Sequence, residues 1–197
     1  MPSSTPTFRT RLAAAGLSVA CLLVGASTAS APTGGAAPPG STTTTPTTPT
    51  TPLGPPGKAK VTKKGVAIAP ADAPWQVVAA INAGNQIRKM PYRWGGGHAS
   101  FYDKGYDCSG AVSYLLYAAG LLTSPLTSGG LAQSWGAPGR GRWITVYANA
   151  GHTYMVVAGV RFDTSAVGES LRRGSGPRWR ATKRKPKGYT AKYYPSL

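Results

Sequence analysis

The second half of this 197-residue chain predicts an α+β domain, on three observations. Apolar residues recur at helical spacing over Trp75–Met90 and again over Ala111–Ala119. β-branched and aromatic runs of strand length follow only after residue 141. Helices first and strands afterwards exclude the strand–helix alternation of a parallel-sheet fold.

The elements follow in order. Arg9 and Arg11 precede an apolar stretch from Leu12 to Ala26, with small residues at Ser27, Ala29 and Ala31, so residues 1–29 read as a secretory signal peptide. Cleavage fits after Ala29, because a cut after Ala31 would leave Pro32 as the next residue. The alternative is an uncleaved signal acting as a membrane anchor. Cys21 reads as part of the apolar run and not as a lipidation site, since Leu22, Leu23 and Val24 continue it. Residues 30–65 read as a disordered linker whose Thr/Pro run, Thr42–Pro52, offers no apolar face to bury.

The folded domain is expected over residues 66–197. Asp72 is placed to cap the helix over Trp75–Met90 through Val77, Val78, Ile81 and Ile87. Asp107 caps a second helix, which starts beside Cys108, keeps Val112, Leu115, Leu116 and Ala119 on one face, and stops at Gly120. Residues 136–141 read as a loop. Strands are expected at Arg142–Tyr147, Tyr154–Ala158 and Val160–Thr164, the last two joined by a tight hairpin at Gly159, with a final strand at Tyr189–Tyr194.

Chemistry points to Cys108. Removal of the signal leaves it as the single cysteine, and an unpaired thiol in a secreted chain is no disulfide staple. Its place at a helix start puts it at the positive end of the helix dipole, which favours a thiolate nucleophile. A base is needed, and the chain has two histidines. His152 opens the expected hairpin and is preferred; His98, in Gly95–Gly96–Gly97–His98, is the other choice. An acceptor must then orient the imidazole. Asp163 lies across the hairpin from His152, with Thr164 as the weaker alternative.

Pro91–Tyr92–Arg93–Trp94–Gly95–Gly96, then Asp107–Cys108–Ser109–Gly110, then a Gly–His pair opening a strand, is similar to the NlpC/P60 family of cell-wall cysteine peptidases. The resemblance spans Ile81 to Thr164. It implies a papain-like fold, with the cysteine-bearing helix packed on an antiparallel sheet that carries the histidine. It also implies cleavage of peptidoglycan stem peptides, often between D-glutamate, through its γ-carboxyl, and a diamino acid. Carried over, it makes Cys108 the nucleophile and His152 the base. Asp163 stands where the family usually has His, Asn or Gln. Tyr92 borders the active site; Trp94, Asp107 and Ser109 join it as expected substrate-binding or oxyanion residues. A second departure is Gly139–Arg140–Gly141–Arg142, which replaces the Pro-Gly-Asp common before the first strand.

Charge completes the reading. The chain carries 22 Lys and Arg against 5 Asp and Glu, a net charge of +17, and residues 171–197 contain no acidic side chain. With a secretory signal, such a surface suits peptidoglycan and anionic wall polymers better than nucleic acid. No stable membrane association is expected after signal cleavage. No metal or cofactor is expected, because one mature cysteine and two separated histidines lack zinc-ligand spacing. The function expected is a secreted cysteine hydrolase of peptidoglycan peptides acting through a Cys-His-Asp triad; the alternative is a noncatalytic wall-binding protein with a basic surface.

Overall fold

The computed structural model describes residues 55–167, 175–180 and 183–197. The expected signal peptide, the Thr/Pro run and the Arg172–Arg173 pair lie outside the described residues. No described helix is long and apolar enough to cross a membrane.

The architecture is α+β. Two helices, α1 (Trp75–Ile87) and α2 (Cys108–Ala118), pack together against one face of an antiparallel sheet. That sheet is built from β3 (Ala137–Pro138), β4 (Ile144–Ala148), β5 (Thr153–Val157), β6 (Val160–Asp163), β7 (Arg178–Arg180) and β8 (Thr190–Tyr193), in the spatial order β3-β8-β4-β5-β6-β7. A short helix, α3 (Ser128–Gln133), lies against β4 and β8. Strands β1 (Lys60–Val61) and β2 (Ala67–Ile68) form a separate small ladder.

Alternation sorts the sheet residues into two faces. Ile144, Val146, Ala148, Met155, Val157, Phe162 and Trp179 belong to the buried apolar core with Val77, Ile81, Val112 and Leu115. The intervening positions Thr145, Tyr147, Tyr154, Val156, Arg161, Asp163 and Arg180 belong to the other face, and most of them are buried as well. Between β5 and β6 the chain turns through Ala158 (φ 45°) and Gly159 (φ 81°). Two successive positive φ values match the right-handed twist of the strands, so the turn is tight and its register is fixed.

Several expectations are corrected. Asp72 does not cap α1: Pro74 occupies the cap position, and the Asp72 carboxylate accepts from the Gly57 amide at 2.9 Å. Helix α1 ends at Ile87, short of Met90, because Pro91 disfavours helical backbone in the residue before it. The linker expected through residue 65 gives way earlier to packed chain: Ala59 is buried, and its amide donates to Ala158 O at 2.9 Å. The expected loop at 136–141 contains β3, which pairs with the last strand.

The basic C-terminal run is also part of the fold. Trp179 packs on Phe162 with ring centroids 4.8 Å apart, and its Nε1 donates to Asn85 Oδ1 at 3.0 Å. Gly84 of α1 makes room for this indole, since a Cβ there would lie 2.5 Å from Cζ2. Arg180 and Lys192 are buried.

Candidate active site

Two glycine-rich segments meet at the start of α2, and their backbones touch. A Cβ on Gly110 would run into the Gly96 carbonyl oxygen, and one on Gly97 (φ 84°) would lie 2.8 Å from the Gly110 Cα. Only glycine allows that approach. Asp107 locks it: the carboxylate accepts from Gly110 N at 2.8 Å, capping α2, and from Gly95 N at 3.1 Å. Its own amide donates to Gly96 O at 3.2 Å. The Tyr92–Gly97 loop is thereby held beside Cys108, the first residue of the helix.

His152 enters from the sheet. Asn149 Oδ1 accepts from the amides of Gly151 and His152, each at 2.9 Å, and this turn presents the imidazole at the mouth of β5. Ring Nε2 lies 3.0 Å from Asp163 Oδ1, and Cys108 is close enough to the ring to act on its pKa. A carboxylate only accepts, so Nε2 carries the proton and Nδ1 is the nitrogen left for the thiol. Burial works to lower the His152 pKa, but hydrogen bonds and charge from Asp163 and Cys108 outweigh it and raise the value to about 9.

Asp163 is fully buried and heavily partnered. Oδ1 also accepts from Ser165 N at 2.8 Å, and Oδ2 accepts from Arg184 Nη1 at 3.0 Å. Arg161 Nε stands 3.7 Å from Oδ2. Burial alone would raise this carboxyl; His152, the Ser165 amide and Arg184 hold it below the ordinary range.

Sequence reasoning missed Arg184 and Tyr189. The guanidinium of Arg184 donates to Tyr189 Oη at 2.7 Å and lies 5.3 Å from the ring centroids of both Tyr154 and Tyr189. Tyr189 in turn meets His152 edge to face at 6.4 Å. Arg184 sits in a run of like residues, Lys183–Arg184–Lys185, where nothing local distinguishes it from its neighbours.

The remaining site expectations divide. Tyr92 is part-exposed near Cys108, and burial, followed by charge on Cys108 and Asp107, raises its phenol pKa. Trp94 does not pack under the loop: 86% of its surface is exposed. Asp107 and Ser109 were expected to meet substrate, but both are buried and bonded to each other, Ser109 Oγ donating to Asp107 Oδ1 at 3.2 Å. Their work is to hold the helix start. His98 is tied to the same pair, with Nε2 3.1 Å from both Asp107 oxygens and from Ser109 Oγ. Thr164 is buried, and the orienting bond to His152 comes from Asp163.

No family model matches this chain, and no curated protein matches it. It is similar to a solved structure described as Rv1477, hypothetical invasion protein of Mycobacterium tuberculosis, with 21% identity over 71% of each chain and a TM-score of 0.41. The chemistry of the site is therefore read from its own geometry.

Proposed function

We propose that this chain is a secreted cysteine hydrolase that cleaves amide bonds in peptidoglycan stem peptides, with the D-γ-glutamyl–diamino acid bond as its target. The observation that carries the reading is the convergence of Cys108, His152 and Asp163 from a helix start and a hairpin. The motif resemblance to the NlpC/P60 family, with its papain-like arrangement, supports the substrate class.

In this mechanism, His152 keeps its proton up to about pH 9 and so supplies the counter-ion of a Cys108 thiolate. The sulfur attacks the carbonyl carbon, and negative charge develops on the carbonyl oxygen. The backbone N–H of Cys108, at the first turn of α2, and the Tyr92 hydroxyl are the donors that would receive it. His152 passes its proton to the leaving amine, and the acyl group remains on sulfur as a thioester. Water then gives its proton to His152 and attacks the thioester carbon, releasing a carboxylate and regenerating the thiolate–imidazolium pair. Asp163 keeps the ring in the right tautomer throughout. Trp94, exposed at the cleft edge, offers a face for substrate to pack on.

The test is mass spectrometry of peptidoglycan fragments after incubation with the mature chain, with Cys108→Ala in parallel. A new peptide product that depends on Cys108 supports the enzyme and identifies the bond by mass. A second reading, a wall-binding protein without catalysis, draws on the basic face described next. It prevails if the folded protein binds sacculi and releases no product.

A further inference from the structure

The face of the sheet turned away from the helices holds a cavity of about 490 Å³. Among the described residues that line it, Lys58, Arg140, Arg161, Arg180, Lys183 and Arg184 are cationic and none is acidic. We propose that this cavity is a binding site for a phosphodiester-linked polyanion with a polyol backbone.

Three observations carry the assignment. First, the cations are graded by depth: Arg161 and Arg180 are buried in the floor, while Lys58, Arg140 and Lys183 are exposed at the rim. The floor is rigid, because Arg161 Nη2 donates to Val167 O at 3.0 Å and Arg180 Nε to Asp163 O at 3.1 Å. Guanidinium forks suit phosphate oxygens, and flexible rim cations suit the neighbouring charges of a chain.

Second, the Tyr154 hydroxyl is buried without a hydrogen-bond partner among the described residues, and Tyr154 lines the cavity. Burial pushes this phenol's pKa up to about 12, so it stays a donor. A buried donor of this kind calls for an acceptor, and an oxyanion is one.

Third, the uncharged lining is Tyr147, Tyr154, Val156, Val160, Gly159 and Pro186, which accommodates the carbon skeleton between phosphates. The two rings are stacked on each other, with centroids 5.0 Å apart, and keep 8% and 1% of their surface. Neither presents a platform for a nucleobase, and single-stranded nucleic acid binds through such platforms. The volume also exceeds what a lone inorganic anion fills, a water molecule taking about 30 Å³.

The inference does not depend on the hydrolase reading: none of Cys108, His152 and Asp163 lines the cavity, and the rim variant below spares Arg161, Arg180 and Arg184, which contact Asp163. The experiment is titration of the mature chain with poly(glycerol phosphate), followed by calorimetry, for three proteins. These are the parent, the rim variant Lys58→Gln/Arg140→Gln/Lys183→Gln, and a control variant, Lys63→Gln/Lys64→Gln/Lys89→Gln, that removes the same charge elsewhere. The rim variant is expected to bind about tenfold more weakly, with the control near the parent. Tyr154→Phe, which keeps the ring, is expected to weaken binding about threefold or more through the lost donor. Equal losses in the rim and control variants mean diffuse charge and overturn the site. An oligonucleotide of matched charge, or phosphatidylglycerol vesicles, binding more tightly than poly(glycerol phosphate) overturns the ligand assignment.

Discussion

Arg184 Nη1 donates to Asp163 Oδ2 at 3.0 Å, on the carboxylate oxygen that His152 does not use. The buried carboxylate is thus shared between an imidazole at the cleft and a guanidinium that packs on the rings of Tyr154 and Tyr189. Desolvation makes an unpaired carboxylate costly, so each partner supports the other's position.

Arg184→Gln is therefore expected to destabilise the fold by roughly 1–3 kcal/mol, the range for leaving a buried polar group short of a partner. Urea unfolding reads this directly. Arg184→Lys should recover part of the loss, because it restores the charge without the fork that also reaches Tyr189.

The histidines give a clean separation. His152→Gln is expected to abolish amide cleavage and to slow alkylation of Cys108. His98→Gln keeps both within a few-fold, since its ring is bonded to the Asp107–Ser109 pair. Loss in His98→Gln with activity kept in His152→Gln would reverse the choice of base.

Activity should depend on pH through the same ring. If the reactive form is thiolate–imidazolium, kcat/KM falls as pH rises through about 9, where His152 loses its proton. Stability follows the same sign. The folded-state pKa lies above the unfolded value, so the contribution is complete below about 6.5 and disappears as pH rises through about 9. Asp163 acts at the other end: its folded pKa is depressed, so its contribution is present above the ordinary carboxylate pKa and is lost as pH falls through the lowered value. Unfolding free energies measured across the range should trace a plateau bounded by these two groups.

The loop–helix contact predicts a steric effect. Gly110→Ala places a methyl group against the Gly96 carbonyl and should cost about 1–3 kcal/mol, more if the loop cannot shift. Activity should fall with it, because Tyr92 rides on that loop. A thermal melt unchanged from the parent, with full activity, would refute the packing described.

Loss of the cap separates stability from chemistry. Asp107→Asn retains an acceptor for Gly110 N, whereas Asp107→Ala removes it and should cost about 1–2 kcal/mol. Cys108 alkylation rates, measured beside the melts, report whether the helix start stays in place.

Much of this was legible locally. Asp107 before an apolar run at helical spacing marks a capped helix, and that places Cys108 at its first position. Val160–Asp163 directly after Gly159 marks a hairpin, which sets Asp163 across from the strand that His152 opens. Both inferences rest on short-range periodicity and turn chemistry, which are properties of neighbouring residues.

What the sequence by itself determined, then, was the α+β order of the elements, the helix start that carries Cys108 and the hairpin that carries Asp163. Tertiary structure alone decided which basic residues are structural. Arg184 and Lys185 are alike in sequence, yet one is bonded to Asp163 and Tyr189 while the other is exposed. It also turned Asp107, Ser109 and His98 inward as a brace, and it placed β8 between β3 and β4 in the sheet. The reason is physical: desolvation and long-range pairing depend on which distant segments share a face, and no window of adjacent residues contains that information.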